Sequence, residues 1–198
     1  MTVLGIVGPM GSGKTFVLEA LRRLGAVTIK ADDLSRELLQ PGAELTAKVR
    51  QAFGDECFDS QGHLLRGKLA ELIFASEPAR QRLNAIMYPA MRGLLRERLG
   101  QFRKLATPPA LVAVEVANLY EMGAAGLVDY VLSVTASRPV REQRIRSRDY
   151  LSAAEARRRL DVHAAAGLDD NPADFEISTD KNGGQLQAEV EALYRRLT

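Results

Sequence analysis

Gly8-Pro9-Met10-Gly11-Ser12-Gly13-Lys14-Thr15 satisfies the pattern G-x-x-x-x-G-K-[ST]. A short apolar run, Val3 to Val7, precedes this stretch, and an amphipathic segment that ends near Leu24 follows it. These flanks predict a strand before the loop and a helix after it, which is the context that the pattern requires. We therefore predict a phosphate-binding loop from Gly8 to Thr15, the alternative being a glycine-rich turn that binds nothing.

The parts of this loop have distinct expected roles at a nucleoside triphosphate. Glycines let successive backbone N–H groups approach the phosphates, and the N-terminus of the following helix adds partial positive charge. We expect Lys14 to reach the β and γ phosphates and the Thr15 hydroxyl to ligate Mg²⁺. Glu115 ends a later predicted strand, where its carboxylate could act on Mg²⁺ through water or orient an acceptor.

The order of the remaining segments predicts an α/β fold, in which strands alternate with helices and form a parallel sheet covered on both faces. The segment from Pro78 to Leu99 is predicted to form one or two helices, broken or bent near Pro89. Ser152 and Glu155 have the spacing of a capping box, with Ser152 as N-cap and Glu155 as N3 of a helix. After the first strand, the predicted strands are Ala26 to Ile29, Ala110 to Val116, Tyr130 to Thr135 and an edge strand from Asp174 to Thr179.

Composition indicates one compact domain, since 46% of the 198 residues are apolar and 26% are charged. The formal net charge of +2 is too small to indicate nucleic-acid binding. Apolar runs fall far short of the ~20 residues that cross a bilayer, and Cys57 is the single cysteine, which excludes an internal disulfide. Without a secretory leader at its start, the chain is expected to be cytoplasmic, a monomer or weak homo-oligomer, and to bind neither nucleic acid nor membranes.

Two carboxylates follow the second predicted strand, whose end we expect to lie beside the phosphate-binding loop. The first, Asp32, could accept the proton of an attacking hydroxyl or orient that hydroxyl. Asp33 competes with it by proximity. The alternative for either residue is a helix N-cap.

The chain resembles the dephospho-CoA kinases, the P-loop kinases that phosphorylate the ribose 3′-hydroxyl of dephospho-CoA, over nearly its whole length. Its Leu119-Tyr120-Glu121 is similar to the Leu-Phe-Glu element that follows the third strand in that family. Beyond the loop, the resemblance also rests on Ala31-Asp32 with Arg36, Pro41-Gly42, Phe53-Gly54, Gly62 with Arg66, Leu69, Phe74, Leu83-Asn84, Arg144, Arg148-Asp149, Ser152 and Glu155.

What the resemblance implies is one P-loop kinase domain that uses ATP and Mg²⁺ and takes dephospho-CoA as its acceptor. It would comprise a three-layer core (about 1–59, 100–139 and 172–198), a helical acceptor-binding region (about 60–99) and a lid (about 140–171).

The resemblance also implies roles for individual side chains. Asp32 would be the catalytic base, assisted by Lys14. Arg144 and Arg148 lie four residues apart on one predicted helical face and would supply positive charge to ATP as the lid closes. Binding of the acceptor would fall to Arg36, Arg92 and Glu121. The alternative for Arg92, as for Arg148, is a solvent-exposed arginine without a substrate contact.

Several positions depart from the family's usual pattern. The family usually has Asp-Ala-Asp where this chain has Lys30-Ala31-Asp32, His-Pro where it has Tyr88-Pro89, and a late Asn where it has Thr179. A lid Gln is replaced within 163–166. Because the changes fall mainly on the acceptor side and the lid, two alternatives stay open: a kinase of another nucleoside or nucleotide, and a non-catalytic nucleotide-binding regulator.

Overall fold

A computed structural model describes residues 1–165 and 172–198 and contains helices and parallel strands in alternation. The strands are β1 (Thr2–Val7), β2 (Val27–Lys30), β3 (Leu111–Glu115), β4 (Tyr130–Thr135) and β5 (Phe175–Ser178). The helices are α1 (Lys14–Arg23), α2 (Ala31–Leu38), α3 (Glu44–Phe53), α4 (Arg66–Ala75), α5 (Glu77–Arg103), α6 (Arg138–Asp149), α7 (Ala153–Ala165) and α8 (Gly183–Leu197). The predicted α/β class and its parallel sheet are confirmed.

The strands form one sheet in the order β2-β3-β1-β4-β5, and every pair is parallel. β1 and β3 are apolar and almost wholly buried, as expected of parallel strands covered on both faces. The prediction that the end of β2 lies beside the loop needs a correction, because β3 pairs with both β1 and β2 and separates them. Glu115, at the end of β3, is consequently in register with Ile6 and with Lys30.

The core of the sheet unit lies between the strands and two helices. Leu18 and Leu21 from α1 and Val190 and Leu193 from α8 are buried against Leu132 and its neighbours in the sheet. Each such side chain contributes roughly 1.5–3 kcal/mol when it is removed from water. This packing fixes the start of α1, and with it the phosphate-binding loop.

Two compact units make up the described chain: residues 1–30 with 102–198, and residues 31–101. The second unit has its own apolar cluster, which includes Val49 and Phe53 of α3, Leu69 of α4 and Met87 of α5. The resemblance implies an acceptor-binding region that starts near residue 60. The compact unit begins at Ala31 and contains α3, which contributes to the same cluster as α4 and α5. The acceptor-binding role of residues 60–99 stays a prediction.

Of the two alternatives near Pro89, the break is wrong, since α5 runs without interruption from Glu77 to Arg103. A proline inside a helix removes one backbone hydrogen bond and costs roughly 3 kcal/mol. Met87 and Met91, on either side of Pro89, pack on the same apolar cluster. That packing on both sides of the proline opposes a break.

The region after β4 contains two helices, α6 and α7. Tyr150, with a positive φ of 54°, ends α6, and α7 starts with the predicted capping box. The Ser152 backbone N–H donates to the Glu155 carboxylate at 3.0 Å, and the Glu155 N–H donates to the Ser152 hydroxyl at 3.3 Å, which confirms that box. Residues 166–171 of the predicted lid lie outside the described residues.

Within the part of the chain that the structure describes, no helix is both long and apolar enough to span a membrane.

Candidate active site

The loop between β1 and α1 has a backbone that its glycines make possible. Gly8, Gly11 and Gly13 have φ angles of 140°, 79° and 94°, values that residues with a Cβ rarely adopt. A Cβ on Gly11 would also lie 2.9 Å from the carbonyl oxygen of Arg141, and one on Gly8 would overlap the carbonyl oxygen of Val134. Both the conformation and the close packing therefore require glycine.

The loop leaves polar groups ready for an anion. Gly13 is the N-cap of α1 and offers no side-chain hydrogen bond, and the first turn of α1 contains no acidic residue. The hydroxyl oxygen of Ser12 is fully buried and has no hydrogen-bond partner among the described residues. A bound phosphate would satisfy such groups and would be favoured by the positive end of the helix dipole.

Lys14 lies with its ammonium group along this loop. Its Nζ donates to the carbonyl oxygens of Gly8 at 2.9 Å and Pro9 at 3.0 Å. The lysine charge is thus held over the loop that the sequence predicts to bind phosphates.

Thr15 and Glu115 meet across the sheet edge, as the order of the strands requires. The Thr15 hydroxyl donates to the Glu115 carboxylate, with oxygen–oxygen distances of 3.0 and 3.3 Å. A hydroxyl and a carboxylate are oxygen ligands of the kind that Mg²⁺ accepts, and Mg²⁺ at phosphates usually keeps water and takes few protein ligands. Consistent with so sparse a site, no cluster of three or more His, Cys, Asp or Glu suited to a metal occurs among residues 1–165 and 172–198.

The two predicted lid arginines have different partners. Arg144 donates to the Gly11 carbonyl at 3.2 Å, to the Thr179 hydroxyl at 2.7 Å and to the Thr179 carbonyl at 3.1 Å. Arg148 donates to Asp149 at 2.7 and 3.0 Å, and Arg159 also bonds that carboxylate. These contacts, led by the hydrogen bond from Arg148, hold the pKa of Asp149 below its usual range. Arg144 is therefore bonded directly to the loop, whereas Arg148 bonds a carboxylate of its own helix. The bond from Arg159 of α7 to that carboxylate joins α6 to α7.

The unit of residues 31–101, called the helical unit below, has several charged side chains around the start of α2. Asp32 and Asp33 occupy the first turn of that helix. The Arg36 guanidinium bonds Asp33 at 2.8 Å. Burial and the nearby Arg36 charge lower the pKa of Arg66, while Asp32 acts in the opposite direction. Two arginines are thus close enough to interact with one another beside the proposed base.

In the sequence, Arg66 is marked only by the family resemblance, because an arginine at the start of a helix is a common surface feature. Its placement depends on the turn that ends at Leu65, whose N–H donates to the Cys57 carbonyl at 2.7 Å. Arg92 is half-buried on α5 and Glu121 is exposed in the segment after β3. Their acceptor-binding roles stay predictions.

Comparisons with known proteins give the family. A sequence model described as dephospho-CoA kinase matches residues 2–183. The chain belongs to the dephospho-CoA kinase family. The dephospho-CoA kinase of Moorella thermoacetica is 42% identical over 160 residues, which are 81% of this chain and 75% of the relative. The dephospho-CoA kinase of Syntrophotalea carbinolica is 40% identical over an alignment that covers 100% of this chain and 92% of the relative.

Solved structures agree on the fold of this dephospho-CoA kinase family member. The crystal structure of TT1252 from Thermus thermophilus superposes with a TM-score of 0.74 at 27% identity, covering 100% of this chain and 98% of the other. The chain is therefore a kinase with the P-loop kinase fold, and the family resemblance inferred from its motifs is confirmed.

Proposed function

We propose that this chain transfers the γ-phosphoryl group of ATP to the ribose 3′-hydroxyl of dephospho-CoA and releases CoA and ADP. The observation that carries the proposal is the loop itself: in a member of this family, it combines an uncapped helix N-terminus, the buried unpartnered Ser12 hydroxyl and the Thr15–Glu115 contact. Phosphoryl transfer depends mainly on positioning and on neutralising charge, and each of these groups serves one of those ends.

In this proposal the loop from Gly8 to Thr15 holds the ATP phosphates. Its amides and the Lys14 ammonium neutralise charge at the β and γ phosphates. Thr15 would hold Mg²⁺ directly and Glu115 through water, and the ion would neutralise charge that develops on the phosphate oxygens. Arg144 and Arg148 would add positive charge from α6.

Asp32 acts on the acceptor. Its carboxylate takes the proton of the ribose 3′-hydroxyl as that oxygen attacks the γ-phosphorus, and the bond from phosphorus to the bridging oxygen of ADP breaks. Dephospho-CoA carries a pyrophosphate, and paired guanidinium groups suit such an anion. Arg36 and Arg66, the two arginines that interact near Asp32, are therefore the proposed contacts for it, with Arg92 and Glu121 as further acceptor contacts.

Asp32→Asn tests the proposed chemistry. We expect turnover to fall by roughly 10²–10⁴, the usual contribution of a general base, while the ATP dissociation constant stays unchanged. Asp33→Asn is the matched control, because Asp33 is also an exposed carboxylate in the first turn of α2. Steady-state kinetics and calorimetric titration with ATP measure the two quantities. The assignment of the base fails if Asp33→Asn loses turnover and Asp32→Asn keeps it.

A further inference from the structure

We propose that Thr179 is a positioning residue that sets the shape of the phosphate-binding loop before nucleotide arrives. The inference rests on the proposed function in one respect only, namely that this loop binds ATP. Thr179 follows β5 directly and lies far from the loop in sequence. Its side chain is 95% buried, since its relative exposure is 5%.

The Thr179 hydroxyl bonds the loop and an arginine together. Its oxygen lies 2.6 Å from the Ser12 carbonyl oxygen and 3.3 Å from that of Thr135. A hydroxyl has one proton, and the shorter distance assigns it to Ser12. The oxygen then accepts from the Arg144 guanidinium at 2.7 Å. One buried hydroxyl thus connects the loop to α6.

The consequence for the loop follows from the planar trans peptide. Where Thr179 holds the Ser12 carbonyl, the N–H of the next residue, Gly13, must point away from Thr179. Arg144 holds the preceding carbonyl, that of Gly11, at 3.2 Å. The carbonyls of Gly11 and Ser12 are therefore both held, one by Arg144 and the other by Thr179. These two contacts orient the peptide planes to which the carbonyls belong.

Packing and the neighbouring bonds make this contact rigid. A Cβ on Gly13 would lie 3.2 Å from both Cγ2 and Oγ1 of Thr179, so the Thr179 side chain packs closely on the Gly13 backbone. The Thr179 N–H donates to the Thr135 carbonyl at 2.9 Å, and Asp180 accepts from the Ser137 N–H at 2.8 Å at the start of α6. Residues 179 and 180 thereby link the sheet edge, α6 and the loop.

Thr179→Val keeps the side-chain shape and removes the hydroxyl, whereas Thr179→Ser keeps the hydroxyl. We expect the valine variant to bind ATP about tenfold more weakly, because the Ser12 carbonyl and an Arg144 N–H lose their partner. The serine variant should stay within about twofold of wild type on the same grounds. The KM for dephospho-CoA should not change, because the proposed acceptor contacts Arg36 and Arg66 belong to the separate compact unit.

Thr46→Val is the matched control for lost stability, since Thr46 is another buried threonine whose hydroxyl donates to a backbone carbonyl, that of Gln40, at 2.7 Å. Calorimetric titration of each folded variant with ATP gives the affinities. If Thr179→Val does not fold, Thr179→Ala against Thr179→Ser makes the same comparison. Equal ATP affinity in wild type and Thr179→Val, or an equal loss in Thr46→Val, overturns the inference alone. Failure of wild type to bind ATP overturns the proposed function as well.

Discussion

The phosphate-binding loop and the helical unit of residues 31–101 present polar groups in different ways. The loop offers mainly backbone N–H groups, fixed by three glycines with positive φ and by buried contacts to Val134, Arg141 and Thr179. The helical unit offers exposed side-chain charges on α2, such as Asp32 and Arg36. A backbone site depends on a few small residues, whereas a side-chain site changes with every substitution. This contrast explains why the loop motif is intact while positions such as Tyr88 depart from the family pattern.

The largest effect should come from the loop's one charged side chain. In Lys14→Met, we expect turnover to fall by at least about 100-fold and ATP binding to weaken, because the positive charge that we propose to act on the β and γ phosphates is lost. Lys181→Met is the control, since Lys181 is exposed and pairs with Glu189 at 2.6 Å. Steady-state kinetics with ATP varied measures the effect. Unchanged kinetics in Lys14→Met would remove the loop from the donor site.

A smaller effect, on the acceptor rather than on ATP, is expected from a substitution in the helical unit. Arg66→Met should raise the KM for dephospho-CoA about tenfold by removing a charge-assisted contact, and leave the KM for ATP unchanged. Arg82→Met is the control in the same unit, because Arg82 donates only a long bond of 3.4 Å to the Ala52 carbonyl among its described contacts. A rise in the KM for ATP instead would show that the two units do not divide donor and acceptor as proposed.

The smallest effect should fall on stability. Asp149 is paired with Arg148 and Arg159, so Asp149→Asn should lower the free energy of unfolding at pH 7 by about 0.5 kcal/mol. Because the pKa of Asp149 is lowered in the folded state, this stabilisation is present above the ordinary Asp pKa of about 4 and is lost as the pH falls through the folded value.

Urea unfolding of wild type and Asp149→Asn between pH 7 and the acid limit of stability measures that difference. An advantage of wild type that persists at the acid limit would contradict the ion-pair explanation. A rise in the KM for ATP in Asp149→Asn would indicate that this pair also holds Arg148 for the ATP contact proposed above.

Local patterns in the sequence predicted the loop, the parallel strands and the capping box at Ser152. These features depend on residues that are close together in the chain, so residue type and spacing are enough to predict them. The order of the strands could not be inferred from spacing, because β3 pairs with β1 across more than a hundred residues. The expectation that β2 lies beside the loop failed for that reason.

Long-range packing decided the remaining features. α5 is continuous through Pro89 because apolar residues on both sides of it share one cluster, which the proline's own preference does not reveal. Thr179 was noted only as a departure from a family pattern. Its contact with Ser12 joins residues 167 positions apart, and nothing in the local sequence marks it.

The identity of the acceptor is the central claim, and direct product analysis tests it. Wild-type enzyme is incubated with ATP, Mg²⁺ and either dephospho-CoA, AMP or adenosine, and the product is identified by mass and by ³¹P NMR. We predict that dephospho-CoA gains a phosphate at the ribose 3′ position, with kcat/KM at least about 100-fold above that of either competitor. Phosphorylation of AMP or adenosine without turnover of dephospho-CoA would contradict the account.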